Sequence, residues 1–403
     1  MKNLLVAQSG GPTAAINATL AGVVASAKLS EKVDHIYGAV NGIEGVLGET
    51  FIDLDDKLGS AEQLHLLCQT PAAALGSCRL KIRQEEQLEQ IVSILRKHEI
   101  SYFIYIGGND SMDTVDKLAS YCRVHAIHDL SVMGAPKTID NDLCGTDHCP
   151  GFGSAAKYIA TTISEIERDC HVYAKKAVTI VEIMGRNAGW LTAASSLSRL
   201  NGGKGPDLIY LCESPFYPER FIQDVKQKLE EEDAVLVAVS EGVKTPDGKY
   251  VSELVQSAAV DNFGHAYIAG AARVLEDMVR EQIGCKVRSI ELNLMQRCAS
   301  HLQSATDEEE SRMLGMKAAT AAISGETGKM AAVIRISDDP YRVKYDLIDI
   351  SQAANAEKNV PVSWITPDGH DVTEAMTAYL KPLIQGESRV TYRNGIPETI
   401  QLY

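Results

Sequence analysis

Two short loops contain the residue types that phosphoryl transfer requires. The first reads GGNDS at positions 107–111 and follows an apolar run at 102–106; the second reads PKTIDND at positions 136–142 and follows an apolar run at 130–135. Glycines let the backbone approach a phosphate, a lysine can neutralise developing charge, and carboxylates can accept a proton or bind a metal ion. Because ligands of open α/β sheets bind beyond the carboxyl ends of the strands, these loops predict a phosphate-handling site.

The elements that must position these loops predict an α/β fold with mostly parallel sheets. Apolar strand patterns at 4–7, 102–106, 178–183 and 234–239 are each followed by a helical pattern, and strands that alternate with helices indicate βαβ units. The predicted helices span 14–27, 85–98, 111–119, 155–169, 218–231 and 266–282. A strand at 331–336 and a helix at 372–384 are predicted near the end of the chain.

The composition is that of an ordinary soluble globular protein. The chain has 403 residues, of which 45% are hydrophobic and 23% charged, and a length of this order suggests about two or three domains. A net charge of -15 argues against nucleic acid as a partner, because binding to the phosphate backbone needs a surplus of Lys and Arg. No apolar run approaches the ~20 residues of a membrane span, and the apolar run at 4–7 is too short for a signal peptide, so we expect a cytoplasmic protein without a membrane partner.

The nine cysteines are scattered singly, which is typical of free thiols in a reducing compartment. One cluster, made of Cys144, Asp147, His148 and Cys149, has the residue types of a zinc site. No second pair lies at the spacing of a zinc finger, so we do not expect a metal ion there.

Several motifs in a fixed order make the chain resemble the phosphofructokinases, and among them the pyrophosphate-dependent type. Besides the two loops, the motifs are SGG at 9–11, LGSCR at 75–79, MGR at 184–186, SEG at 240–242 and the segment 288–297. They cover roughly the first 300 residues and are specific only in combination. The resemblance implies two Rossmann-like three-layer αβα domains with mostly parallel sheets and an active site in the cleft between them.

The resemblance also implies discontinuous domains. A donor domain that binds pyrophosphate is expected to comprise 1–150 and about 296–370, and a sugar-phosphate domain 151–295 and the C-terminal segment. The Pro-Gly pair at 150–151, which precedes a predicted helix, favours a boundary there. A homodimer or homotetramer is implied as well.

For the donor, the resemblance implies that Gly11, Gly108 and Arg79 bind pyrophosphate and that Asp110 and Lys137 act in catalysis and donor choice. ATP-using relatives have glycine at positions 110 and 137. A carboxylate at 110 fills the space of the nucleotide's α-phosphate, and two unit charges about 4 Å apart repel by roughly 4 kcal/mol at an effective dielectric near 20. The ammonium at 137 can neutralise the pyrophosphate that is cleaved. The pair therefore favours pyrophosphate over ATP.

Mg²⁺ is the cofactor that the resemblance implies. Asn109 stands where many family members have an aspartate ligand, and an amide is a weaker partner for this hard cation. The sequence leaves two arrangements open: Asn109 binds the ion through a bridging water, or Asp140, Asp142 and the pyrophosphate hold it.

For the acceptor, the resemblance assigns Asp140 as the base that takes the proton of the sugar's primary hydroxyl. Asp142 points the same way if the segment is extended. Arg186 supplies a cation near the reacting centre, and Glu241 accepts hydrogen bonds from sugar hydroxyls. The full set of substrate-binding residues is Thr138, Ile139, Asp140, Asp142, Met184, Gly185, Arg186, Glu241, Arg288 and Arg297, of which the last two bind the 6-phosphate.

Two departures from the family pattern alter the expected 6-phosphate pocket. Leu294 stands where the family usually has His or Tyr, and Ala177 where ATP-using relatives have an arginine that crosses between subunits. Lys175 or Lys176 can replace that arginine.

The predicted function is the reversible, pyrophosphate-dependent phosphorylation of fructose 6-phosphate to fructose 1,6-bisphosphate, in glycolysis and gluconeogenesis. The altered pocket leaves sedoheptulose 7-phosphate open as the acceptor. A non-catalytic, sugar-phosphate-binding regulatory subunit is a second alternative, disfavoured because Lys137, Asp140, Asp142 and Arg186 are all present. Positions 110 and 137 disfavour an ATP-dependent kinase, and the lack of G-x-G-x-x-G disfavours a nicotinamide dehydrogenase.

Overall fold

The computed structural model describes residues 2–254, 270–354 and 357–403. The chain divides into two compact units, each made of more than one segment. The first unit comprises Met1–Ala155, Arg297–Lys358 and Leu383–Tyr403, and the second comprises Ala156–Gln296 and Asn359–Pro382. Two segments differ from the expected domains: 359–370 belong to the second unit, and 383–403 belong to the first.

The secondary structure follows the predicted alternation. The strands are β1 (Lys2–Gln8), β2 (Val33–Ala39), β3 (Phe51–Asp53), β4 (Ile100–Gly107), β5 (Ser131–Pro136), β6 (Ala177–Ile183), β7 (Leu208–Tyr210), β8 (Ala234–Ser240), β9 (Lys286–Glu291), β10 (Lys329–Asp338), β11 (Tyr341–Asp349), β12 (Tyr392–Arg393) and β13 (Ile396–Pro397). The α-helices are α1 (Ile16–Lys28), α2 (Gly42–Leu47), α3 (Leu54–Lys57), α4 (Ala61–Gln69), α5 (Glu85–Lys97), α6 (Asn109–Val124), α7 (Phe152–Cys170), α8 (Trp190–Ala194), α9 (Pro218–Glu231), α10 (Ala271–Gln282), α11 (Met295–Cys298), α12 (Ala305–Ile323) and α13 (Glu374–Leu380).

The first unit contains a seven-stranded sheet in the order β11-β10-β5-β4-β1-β2-β3. Its inner strands are parallel, and the edge strands β3 and β11 are antiparallel to their neighbours. In this register Gln8 pairs with Ile106, and Gly107 pairs with Pro136. The loops that follow β1, β4 and β5 therefore lie side by side at one edge of the sheet.

Alternating side chains of the strands in this sheet face two helical layers. Leu4 and Val6 are fully buried and pack with α1 and α12, whereas Leu5 and Ala7 are fully buried and pack with α5 and α6. Since successive side chains of a strand point to opposite faces, a strand that is apolar at every position is covered on both sides. The first unit is thus a three-layer αβα structure.

The second unit contains a parallel four-stranded sheet in the order β7-β8-β6-β9. Its core joins Val178 and Ile180 of β6 to the apolar faces of α9 and α10. Ile183 at the end of β6 pairs with Ser240 at the end of β8. The loops after these two strands consequently start at the same edge of the sheet.

Most predicted elements occur, and their ends differ for local reasons. The helix predicted from 111 begins two residues earlier, because Gly108 is extended (φ -91°, ψ -159°) and serves as the N-cap. Of the helix predicted at 266–282, residues 266–269 lie outside the described part, and α10 starts at Ala271. The helix predicted at 372–384 is shorter, as α13. Across the described residues, no helix is long and apolar enough to span a bilayer.

Candidate active site

The loop between β1 and α1 is shaped by hydrogen bonds to a neighbouring loop. The backbone N–H of Gly10 donates to the Cys78 carbonyl (3.1 Å), and the Ser77 hydroxyl donates to the Gly10 carbonyl (2.6 Å). Gly10 has a φ of +78°, and a Cβ there would lie 3.0 Å from Lys137 Nζ. The glycine therefore permits both the left-handed turn and the close approach of the ammonium.

Lys137, which follows β5, places a buried cation beneath this loop. Lys137 is only 2% exposed, and its Nζ donates a hydrogen bond to the Gly11 carbonyl at 2.6 Å. The Lys137 backbone N–H donates to the Gly107 carbonyl (2.9 Å), which joins the ends of β4 and β5. Burial lowers the pKa of Lys137 to about 8, although the charges of Asp140 and Asp142 favour the ammonium. Lys137 is thus a cation close to its titration point.

Two guanidinium groups lie near the same loop. Arg297 Nη1 lies 3.5 Å from the position that a Cβ of Gly11 would occupy. Both Arg297 and Arg79 disfavour the ammonium of Lys137 and so contribute to its lowered pKa. The resemblance assigned Arg297 to the sugar's 6-phosphate, whereas the structure places it beside the glycine loop of the first unit. Three cations around a glycine turn suit an anion with several phosphate oxygens.

The loop after β5 brings the carboxylates of Asp140 and Asp142 together, but with a backbone conformation that differs from the expected one. The segment from Asp140 to Asp142 is not extended, because Asn141 between them has a φ of +56°. The Thr138 hydroxyl oxygen accepts the backbone N–H of Asp140 at 3.1 Å, which tightens the turn. Burial, and next the charge of Asp140, raises the pKa of Asp142 above its usual range. The two carboxylates therefore lie close to each other despite the turn.

An amide oxygen beside these carboxylates could hold a metal ion. Asn109 Nδ2 donates to Asp142 Oδ2 at 2.9 Å. Asn109 Oδ1 is buried and has no hydrogen-bond partner among the described residues. Buried polar atoms are rarely left unpaired, and Mg²⁺ prefers oxygen ligands. The unpaired amide oxygen and the adjacent carboxylate therefore fit Mg²⁺.

Asp110, one residue further on, is paired with a cation that we had not identified from the sequence. Its side chain is 70% exposed, and its Oδ1 lies 2.9 Å from Lys81 Nζ. The Lys81 ammonium thus partly offsets the charge with which we expected Asp110 to repel a nucleotide phosphate. The expected preference for pyrophosphate over ATP then depends more on the volume of the Asp110 and Lys137 side chains. The alternation of basic residues at 79, 81 and 83 was a usable signal, since all three side chains are exposed.

The cluster at 144–149 forms an ion-pair network. His148 is buried between Asp147 (Nδ1 to Oδ2, 2.8 Å) and Glu310 (Nε2 to Oε2, 2.5 Å), and Arg335 also contacts Asp147 at 2.9 Å. Burial lowers the pKa of His148, but the two carboxylates outweigh it and raise the pKa to about 9. Among the described residues, His35, Asp53 and Asp55 are the one group of three or more His, Cys, Asp or Glu side chains whose ligand atoms converge.

In the second unit, the loops after β6 and β8 meet. The Glu241 carboxylate accepts the backbone N–H of Gly185 at 3.4 Å, and the Ser240 hydroxyl donates to the Gly185 carbonyl at 2.6 Å. The backbone N–H of Met184 donates to Gln296 Oε1 at 3.3 Å. A Cβ on Gly242 would lie 2.0 Å from the Arg186 carbonyl oxygen, so this position requires glycine. Met184, Gly185, Arg186 and Glu241 are thus brought together.

Arg288 lies elsewhere in the second unit. It pairs with Thr179 in the amino-terminal half of the β9–β6 register, whereas Glu241 follows the carboxyl end of β8. Arg288 lines a cavity of about 260 Å³ together with Lys175 and Lys286. Lys176 points its ammonium to the Leu229 carbonyl (2.5 Å) instead. Of the two lysines considered as substitutes for the missing arginine, Lys175 is the one that shares a cavity with Arg288.

Comparison with known proteins gives the family. The family model described as Phosphofructokinase matches residues 3–323. The chain belongs to the phosphofructokinase family. It is 38% identical over 408 residues to a protein of Methylococcus capsulatus named pyrophosphate–fructose 6-phosphate 1-phosphotransferase, covering 100% of this chain and 96% of the relative. A protein of Xanthomonas campestris with the same name is 40% identical, with 99% and 96% covered.

A solved structure shares the fold over the full length. The crystal structure of a pyrophosphate-dependent phosphofructokinase from Nitrosospira multiformis has a TM-score of 0.90 and 37% identity, covering 100% of this chain and 96% of that one. The similarity extends through the segments after residue 323, which the family match does not reach. The C-terminal part of the chain is therefore also shared with this relative.

Proposed function

We propose that this protein transfers a phosphoryl group from pyrophosphate to fructose 6-phosphate, which yields fructose 1,6-bisphosphate and phosphate. The observation that carries this proposal is the buried ammonium of Lys137 beneath the glycine loop, 2.6 Å from the Gly11 carbonyl. ATP-using relatives have glycine at this position, so the cation is specific to the proposed donor. The full-length similarity to relatives with this named activity supports the same assignment.

Pyrophosphate binding is proposed for the first unit. The backbone of Gly11 and Gly108 admits the phosphates closely, and Lys137, Arg79 and Arg297 offset their negative charge. Charge-assisted hydrogen bonds to phosphate are stronger than neutral ones, and cations fixed before the reaction stabilise charge that develops during it. Each transfer cleaves the bond to the bridging oxygen and leaves one phosphate among these cations.

Proton transfer is proposed for the loop after β5. The acceptor's primary hydroxyl attacks the terminal phosphoryl group and loses its proton to the Asp140 carboxylate. Asp142, whose pKa is raised by burial and by Asp140, positions this base. Asn109 Oδ1 and Asp142 would hold Mg²⁺, which would neutralise charge on pyrophosphate. The oxygen ligands of these two side chains are the reason for the magnesium assignment.

Sugar-phosphate binding is proposed for the second unit. Met184, Gly185, Arg186 and Glu241 converge beyond the ends of β6 and β8 and can bind hydroxyl and phosphate groups. Arg288 and Lys175 lie toward the opposite end of that sheet, so we propose that they contact the sugar phosphate bound to another copy of the chain. We propose that the protein is a cytoplasmic homodimer or homotetramer in which such contacts between copies form.

A donor panel tests the proposed function. Pyrophosphate and ATP are each supplied with fructose 6-phosphate and Mg²⁺, and fructose 1,6-bisphosphate is measured; we expect product with pyrophosphate and little with ATP. The same panel with sedoheptulose 7-phosphate tests the acceptor. ATP turnover equal to pyrophosphate turnover would refute the donor assignment, and a higher kcat/KM for the seven-carbon sugar would refute the acceptor assignment. The Asp110→Gly variant should gain weak ATP use, because the side chain that fills the nucleotide's space is removed.

A further inference from the structure

We propose that the C-terminal tail, residues 383–403, holds the pyrophosphate-binding loop in its active shape. The inference rests on the proposed function of that loop. The tail is separated from the rest of the first unit by a segment of the second unit. It contacts the end of α4 and the loop at 70–79. Its contacts lead, step by step, to Gly10 and Gly11.

The first step is a set of hydrogen bonds at the end of α4. Gln69 Nε2 donates to the carbonyls of Thr391 (3.0 Å) and Glu398 (2.6 Å), and Gln69 Oε1 accepts the backbone N–H of Thr391 (2.9 Å). The Thr70 hydroxyl oxygen accepts the backbone N–H of Ile400 at 2.9 Å. Gln69 is only 2% exposed, so its end of these hydrogen bonds is buried. The tail is thereby fixed at two places along its length.

The second step brings the end of the tail to Gly76. Leu402 is 2% exposed and belongs to the same apolar cluster as Leu75. Gly76 has a φ of +69°, and a Cβ there would lie 2.8 Å from Tyr403 Oη. Leu402 anchors the tail in the core, and the tyrosine then lies directly against the backbone of Gly76.

The third step connects this loop to the donor site. The Leu75 backbone N–H donates to Gln8 Oε1 at 2.9 Å, at the end of β1. Ser77 and Cys78 form the two hydrogen bonds to Gly10 described above. The segment 75–78 is therefore hydrogen-bonded to the glycine loop at Gly10. The carbonyl of Gly11, the residue after Gly10, accepts a hydrogen bond from the Lys137 ammonium.

These contacts assign a positioning role to the tail. A glycine loop with a positive φ has many accessible conformations when it is free, and ordering it during binding weakens affinity. When the tail holds the segment 75–78 in place, the glycine loop is already ordered before pyrophosphate binds, so binding does not bear the cost of ordering it. We therefore expect loss of the Tyr403 contact with Gly76 to raise KM for pyrophosphate by a few-fold to about tenfold, the range expected for loss of a single contact, with KM for fructose 6-phosphate unchanged.

The test compares Tyr403→Ala with the matched control Tyr392→Ala, because both tyrosines are on the tail and both side chains are more than half exposed. Thr70→Val, which removes the bond to Ile400, is a second variant that leaves the tail's apolar anchor intact. KM for pyrophosphate should rise in Tyr403→Ala and Thr70→Val and stay at the wild-type value in Tyr392→Ala. Equal increases in both KM values, or a change in kcat alone, would overturn the positioning role.

A second readout separates this inference from the proposed function. Hydrogen exchange of the amides at 75–79, measured without substrates, should become faster in Tyr403→Ala and Thr70→Val but not in Tyr392→Ala. Unchanged exchange in the first two variants would overturn the role of the tail even if the protein uses pyrophosphate. Faster exchange in a protein that does not use pyrophosphate would refute the proposed function while supporting the bracing contact.

Discussion

The buried ammonium of Lys137 should make the free energy of unfolding depend on pH in a specific window. Burial lowers its pKa from the ordinary value of 10.5 to about 8. Between these two pH values the unfolded chain binds a proton at this lysine and the folded chain does not, so stability rises with pH across the window. At about 1.4 kcal/mol per pH unit, the interval corresponds to roughly 3 kcal/mol. Below pH 8 the folded protein bears this cost in full.

The assay compares wild type with Lys137→Met by urea denaturation at several values from pH 7 to pH 10.5, without divalent metal or pyrophosphate. The variant cannot titrate at this position, so the difference in unfolding free energy should shift by about 3 kcal/mol in favour of wild type as pH rises. Lys57→Met is the control for the change of side chain, since Lys57 is exposed and its replacement removes no buried ammonium.

A constant difference between wild type and Lys137→Met would refute the reasoning, because it would mean that the ammonium is not destabilised by burial. The activity with pyrophosphate should change with pH in the opposite direction to the stability. The ammonium is lost above pH 8, so kcat/KM for pyrophosphate should fall there, and Lys137→Met should be inactive at every pH. The buried ammonium of Lys137 therefore lowers stability at neutral pH and supplies the proposed donor site with a cation.

Three further predictions concern single residues. Asp140→Asn should lower kcat about 10²–10⁴-fold with little change in either KM, because a base acts in the transition state; an unchanged kcat would move the role of base to Asp142. Asn109→Asp should lower the Mg²⁺ concentration for half-maximal velocity, since a carboxylate replaces the unpaired amide oxygen; a higher concentration would contradict this ligand. Lys81→Ala should raise KM for pyrophosphate severalfold, because Asp110 then repels the donor without compensation; titration at high salt should reduce the effect, and an effect on fructose 6-phosphate alone would be inconsistent with it.

The alternation of strands and helices along the chain, and the position of the polar loops after the strands, could be predicted from the sequence. Parallel strands buried on both faces are continuous apolar runs, and the polar loops follow them at once. The residues of the loop after β5 were also identified, but their geometry was not. An extended segment from Asp140 to Asp142 was a reasonable expectation, and the left-handed conformation of Asn141 is a local choice that asparagine tolerates and that sequence alone does not specify.

Contacts between distant segments account for the remaining differences. The ion pair of Lys81 with Asp110 joins residues 29 positions apart. The alternation of basic residues at 79, 81 and 83 indicates a basic surface but does not identify Asp110 as its partner. The placement of Arg297 beside Gly11 depends on how the chain re-enters the first unit after the second. The tail belongs to the first unit rather than to the sugar-phosphate domain that we expected. Its attachment depends on hydrogen bonds and on the buried side chains of Leu383 and Leu402 rather than on a long apolar pattern.

The interrupted path of the chain through the first unit also has a consequence for biosynthesis. β5 ends at Pro136, but its sheet neighbour β10 begins only at Lys329. At about 5–20 residues per second, the ribosome needs roughly 10–40 s to make the intervening chain. All four strands of the second unit's parallel sheet emerge in that interval, between Ala177 and Glu291. During those seconds the nascent protein presents β5 as an open, apolar sheet edge, and a chaperone that binds such edges has its longest opportunity to act there.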